Sequence, residues 1–109
     1  MKQYLLFILF LISSCTYDKL SVCETDNPSF SECVEPIFME HCVVCHFPEN
    51  PDGILYLSYY LEIRDQVLNG NVIESIKRDV DYMPKGGSKL SAEQILIIEN
   101  WKDNGAPNN

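Results

Sequence analysis

Cys42-Val43-Val44-Cys45-His46 is the stretch on which the reading of this chain turns. Two cysteines three apart, with a histidine directly after them, form the attachment signature of a c-type haem. On one turn of chain after a helix, two thiols at this spacing can reach the two vinyl groups of one porphyrin and form thioethers. The adjacent histidine is then held beneath the iron as its proximal ligand. A zinc half-site, a redox dithiol and a pair of buried cysteines are the competing readings. Zinc calls for a second Cys/His pair, and after His46 the sequence contains neither residue. A thioredoxin-type dithiol calls for a βαβ pattern, which the flanking sequence lacks. The motif by itself leaves a plain pair of buried cysteines open, and it is the rest of the chain that favours one covalently attached haem c.

The 109 residues suffice for one small domain plus a targeting segment. Eight basic against 16 acidic residues leave a formal charge of −8. Nucleic acid requires basic patches, so it is not an expected partner. Docking on anionic lipid through charge is disfavoured for the same reason. A chain this short has a thin core and needs a staple, whether disulfide, metal or cofactor. A haem, as a large apolar plate, would serve.

Residues 1–14 read as a secretory signal. Lys2 supplies the positive start and Tyr4 to Ile12 form an unbroken apolar run, too short to span a bilayer but the right length for a signal core. Ile12-Ser13-Ser14-Cys15 resembles a bacterial lipobox, in which the cysteine is lipidated and becomes the mature N-terminus. An ordinary signal with an incidental cysteine is the alternative. Acyl chains on Cys15 would anchor the protein, since each buried methylene contributes about 0.8 kcal/mol. The expected location is the bacterial cell envelope, exported and lipid-anchored to a membrane facing the periplasm or cell surface. Residues 15–28 read as a polar tether, and residues 29–109 as the domain. The stretch from Thr16 to Pro28 could extend to roughly 45 Å.

Of five cysteines, Cys15 is assigned to lipid and Cys42 and Cys45 to haem. Cys23 and Cys33 remain. They could close a disulfide contributing on the order of 2–3 kcal/mol in the chain-entropy model, or stay as two thiols.

Four short helices are expected. The first begins near Ser29 or Ser31, with Ser29-x-x-Glu32 as a capping box. Val34, Ile37, Phe38 and Cys42 share one of its faces, and a late start would leave Pro36 near the first turn. Ile54 to Ile63 nearly alternate, a strand signal. The haem context instead favours a helix over about Tyr59 to Asn69, with Ser58 as cap and Gly70 beyond. A short helix over Val72 to Arg78 and a loop over Asp81 to Gly87 follow. The last helix is capped by Ser91 and Gln94, buries Ile95, Ile98 and Trp101 beside Leu96, and stops at Gly105.

With these residues in place, about Ser29 to Pro107 resembles the small single-haem bacterial cytochromes c, and most closely their lipoprotein-borne form. The motifs that carry the likeness are Cys42 to His46, Met83-Pro84-Lys85-Gly86-Gly87, Leu90-Ser91-Ala92-Glu93-Gln94 and Trp101 to Pro107. Phe30-Ser31 to Pro36-Ile37-Phe38, ahead of the haem motif, is also similar. Lys102 departs from the apolar residue usual after the tryptophan, and the middle of the chain is rich in tyrosine.

The resemblance implies an all-α, class I-like cytochrome c fold with its terminal helices crossing beside the haem. It also implies Met83 as the distal axial ligand opposite His46. His/Met ligation fills both axial positions and raises the potential. Met39 and His41 are poorer rivals, because both lie on the attachment helix, and His41 reads as a solvated residue. Phe38 and Trp101 are the expected helix-crossing contact. Tyr56, Tyr59, Tyr60 and Tyr82 are expected to wall the haem pocket; Lys85 or Arg64 could pair with a propionate, but solvated surface charge is the default reading of both. Glu35, Glu40, Glu49 and Asp52 would form an acidic face that favours a redox partner with a basic patch. The expected activity is one-electron transfer with no catalytic residue. A sensory or structural haem module, and a peroxidase-like enzyme with an open distal site, are the alternatives.

Overall fold

The computed structural model describes residues 23–50 and 55–109; the expected signal segment, Cys15 and Asp52 lie outside them. Among the described residues the chain is helical and has no strand. It runs through a π-helical turn over Phe30–Val34 and four α-helices: α1 (Glu35–His41), α2 (Tyr60–Leu68), α3 (Val72–Lys77) and α4 (Ala92–Asp103).

The opening turn is wider than an α-turn, and its composition explains why. Ser29 caps it, accepting from the Glu32 N–H at 3.2 Å. The Val34 N–H bonds back five residues to the Ser29 carbonyl at 3.3 Å. Pro36 follows at the start of α1. Its ring would crowd the carbonyl four residues back in a regular helix. Val34, Ile37 and Phe38 lie on the inner side, Val34 and Phe38 fully buried.

The alternation between Ile54 and Ile63 does not give a strand in its described part. Glu62 turns its carboxylate back to accept from the backbone N–H groups of Ser58 (3.0 Å) and Tyr59 (3.3 Å), starting α2 one residue later than expected, with Tyr59 rather than Ser58 as cap. Ile63 and Val67, one turn apart, carry the buried face. α3 and α4 keep close to their expected bounds. Ser91 and Gln94 form the reciprocal cap of α4, at 3.1 and 3.0 Å. On α4 the inward set is Ile97, Ile98 and Trp101, whereas Leu96 is 45 % exposed.

Trp101 is the centre of the core, but its aromatic partner is not the expected Phe38. The rings of Phe30 and Trp101 lie 5.6 Å apart, and Tyr60 meets Phe30 edge-on at 5.0 Å. Beyond α4, Gly105 takes φ +94° and lets the tail fold back. The tail carbonyls then serve buried donors. Pro107 accepts from the Trp101 indole N–H at 3.0 Å, and Ala106 from the Tyr60 hydroxyl at 2.9 Å. Asn109 accepts from the Phe30 and Ser31 N–H groups, which have no partner within their own helical turn.

The described end of the expected tether belongs to the folded unit. Cys23 and Cys33 form a disulfide with Cα atoms 5.2 Å apart. Asn100 donates to the Thr25 carbonyl at 2.8 Å, and Asn104 to that of Asp26 at 3.3 Å. Pro28 is fully buried. Residues 23–28 thus lie along α4, so the folded unit starts before residue 29. Among the described residues no helix is long and apolar enough to cross a membrane.

Candidate functional site

Cys42 directly follows α1, and the turn after it is tight. The His46 N–H bonds to the Cys42 carbonyl at 2.9 Å and that of Cys45 to the same carbonyl at 3.2 Å. Residues three and four apart on one such turn lie on the same side. Cys42, Cys45 and His46 accordingly line one cavity of about 570 Å³, and Met83 lines it too. That size falls in the range of about 300–1,000 Å³ usual for cofactor and ligand sites.

His46 is oriented by the backbone. Its Nδ1 lies 2.9 Å from the carbonyl oxygen of Leu55. A carbonyl only accepts, so Nδ1 carries a proton and, in the neutral imidazole, Nε2 carries the lone pair. Fixing an imidazole through its other nitrogen is the usual way of presenting it to a metal. The Leu57 N–H bonds to the His46 carbonyl at 3.0 Å and holds the same two segments together. Asn50 donates to the Cys45 carbonyl. Met83 is supplied by the loop after α3, where its N–H bonds to the Ser75 carbonyl at 3.0 Å.

The rest of the lining is divided by chemistry. Leu55, Leu57, Val72, Ile76 and Leu90 offer apolar walls, while Asn50, Gln66, Asn71, Ser75 and Lys85 offer polar ones. This donor set fits a porphyrin: two thiols, an oriented imidazole, a thioether, greasy walls for the ring, and hydrogen-bonding side chains for carboxylates. Burial pushes the Cys42 thiol up to about 11. That is opposite to the depression a redox dithiol requires. Among the described residues no three His, Cys, Asp or Glu side chains gather as a metal-holding group. The imidazole–thioether pair is of a different kind.

Several side chains lie elsewhere than expected. None of Tyr56, Tyr59, Tyr60 and Tyr82 lines the cavity. Tyr60 is spent on Trp101 and the tail, Tyr59 is 67 % exposed, and the Tyr82 hydroxyl donates to the Gly87 carbonyl. Arg64 is exposed and away from the lining, in keeping with its default reading as a solvated charge, whereas Lys85 does line the cavity. Met39 is exposed as well.

His41 is not a solvated residue. It lines the cavity, and its Nε2 accepts from the Gln94 amide at 3.2 Å, joining α1 to the cap of α4. The signal was present in the sequence: Val34, Ile37, Phe38 and His41 continue one helical stripe. The Leu55 carbonyl, being backbone, leaves no such mark.

No family model, curated protein or solved structure matches this chain.

Proposed function

We propose that this chain is a haem c-binding electron carrier with a cytochrome c-like arrangement of its helices, tethered to the bacterial cell envelope through lipid on Cys15. The observation that carries this reading is the meeting of Cys42, Cys45, His46 and Met83 on one cavity, with His46 turned by the Leu55 carbonyl. When bound, haem c supplies a one-electron ferrous–ferric couple.

The chain's own residues do the rest. Cys42 and Cys45 would hold the group through thioethers. His46 Nε2 and the Met83 sulfur would hold its iron, and with both as ligands the reading is electron transfer without a substrate bound at the metal. The apolar walls exclude water and favour the less charged state of the couple, and Lys85 offers a cation to a propionate. Cys45 is exposed and Val44 beside it is 70 % exposed, so one edge of the site is open to a transient redox partner. Exposed Glu40 and Glu49 flank the motif in sequence and favour a partner with a basic patch, chiefly through the association rate.

The test is to express the chain with a cytochrome c maturation system and stain a denaturing gel for haem. The wild type is expected to stain, and the Cys42→Ala/Cys45→Ala double variant to lose the stain. A sulfur-to-iron charge-transfer band should be present in the wild type and absent from Met83→Ala. A colourless matured protein would overturn the reading. Ready uptake of carbon monoxide or peroxide by the wild type would instead favour an open-site enzyme. A haem that exchanges no electrons with envelope dehydrogenases would favour a sensory or structural module. Incorporation of labelled palmitate, lost in Cys15→Ala, tests the anchor.

A further inference from the structure

Met83 packs half-buried against the core, but the stretch that carries it has little other apolar anchorage. From Lys77 to Lys89 no residue is buried, and Val80, its large aliphatic side chain, is 75 % exposed. Loops without buried apolar contacts open locally at small free-energy cost. Apart from Met83 itself, the loop is held by polar contacts, and two cations supply most of the side-chain ones.

Arg78 stands directly after α3. Its Nη2 donates to Ser75 Oγ at 3.1 Å and its Nη1 to the Asp81 carbonyl at 3.4 Å. Its Nε lies 3.9 Å from a carboxylate oxygen of Glu74. Ser75 is also the residue whose carbonyl accepts from the Met83 N–H. One guanidinium thus spans from α3 to the loop two residues before Met83. It does so at Asp81, whose φ of +53° is left-handed and unfavourable for most side chains.

Lys89 closes the other end. Its Nζ donates to the carbonyl of Lys77, the last residue of α3, at 3.2 Å and to Asp79 Oδ1 at 3.1 Å. A cation at that point is favoured by the helix dipole. The same Nζ stands 5.8 Å from the centre of the Tyr82 ring, next to Met83.

We infer that Arg78 and Lys89 are positioning residues for Met83, pinning the loop to α3 and setting the reach of the thioether into the cavity. This rests on the reading of Met83 as an axial ligand. Charge alone does not account for Arg78, because its two acceptors are met by different nitrogens, Nη1 and Nη2, of one rigid fork, which a lysine at this position would not reproduce.

The experiment uses the haem-loaded protein and follows two signals, the sulfur-to-iron band and hydrogen exchange at the Met83 amide. Arg78→Ala, Arg78→Lys and Lys89→Met should each weaken the band and speed Met83 exchange roughly tenfold. Lys89→Arg should stay close to wild type, and exchange at the Trp101 amide should not change in any of them. Unaltered band and Met83 exchange in both Arg78→Ala and Lys89→Met would overturn the inference. So would acceleration shared equally by Trp101, which marks a purely global loss of stability. A wild type without the band removes the ligand reading and this inference together. A wild-type band that the variants leave untouched removes this inference alone.

Discussion

The imidazole of His46 is hydrogen-bonded through Nδ1 to the carbonyl of Leu55, nine residues further along the chain, at 2.9 Å. The bond fixes the tautomer and the direction of Nε2, and it closes the loop that follows the cysteine motif. Polarisation of the N–H by a carbonyl also makes Nε2 a better donor to a metal.

In the matured protein, His46→Gln should keep the haem stain, because the thioethers do not depend on the imidazole, but lose the low-spin spectrum. Added free imidazole should restore that spectrum. Its nitrogen would lack the Leu55 carbonyl, so the restored protein should have a higher reduction potential than wild type. Spectra and potentiometry check both statements, and an unchanged spectrum in His46→Gln would count against His46 as ligand.

In the haem-free chain the two motif thiols should differ. The thiolate is the nucleophile, and burial pushes the Cys42 thiol up to about 11 while Cys45 is exposed. At pH 8, iodoacetamide should label Cys45 well before Cys42, and the gap should narrow as pH rises toward 11. The raised value means that the folded chain holds its proton more tightly than the unfolded one. Stability is therefore complete below the ordinary thiol value of 9.0 and declines between 9 and about 11. Peptide mapping resolves the two sites. Equal labelling rates would mean that the fold around Cys42 does not form before the thioethers do.

Trp101→Ala should cost about 3–5 kcal/mol of holoprotein stability, as expected for removal of a fully buried indole. Trp101→Phe keeps the ring against Phe30 but orphans the Pro107 carbonyl, and should cost on the order of 1–3 kcal/mol from the lost hydrogen bond and its smaller volume. Denaturant midpoints rank the two. A loss in Trp101→Ala no larger than in Trp101→Phe would mean that the site collapses around the gap.

Cys23→Ser/Cys33→Ser should lower stability by about 3 kcal/mol, the chain-entropy value for a loop of this length. Because the bridge helps hold residues 23–28 along α4, limited proteolysis should cut before Pro28 in the variant and not in the wild type. The sulfur-to-iron band should be unaffected, since neither cysteine lines the cavity.

Local rules made much of the fold legible. Ser91-x-x-Gln94 forms its reciprocal cap as read, because both partners lie within one turn. Gly105 ends α4 as read, because the φ of +94° there favours a residue without a Cβ. Misreadings arose where one periodicity had two physical outcomes. Ile97 and Leu96 adjoin on α4, and their order of burial was decided by where the Phe30 turn packs. Tyrosine suits a pocket wall or a core equally, and Tyr60 went to the core once the Ala106 carbonyl was folded back within reach of its hydroxyl.

What the sequence determined by itself was the limits of α3, the capped start of α4 and the alignment of Cys42, Cys45 and His46 on one side of a turn. Each depends on bonds spanning three to five residues, so neighbouring side chains suffice to specify it. The alternation from Ile54 to Ile63, by contrast, left strand and helix both open at α2. Only the tertiary structure decided that Phe30 rather than Phe38 meets Trp101 and that His41 faces the cavity. It alone placed Met83, 37 residues beyond His46, on the same cavity, and bound residues 23–28 to α4. Those contacts join distant segments, and their energy depends on the shape that all four helices leave between them.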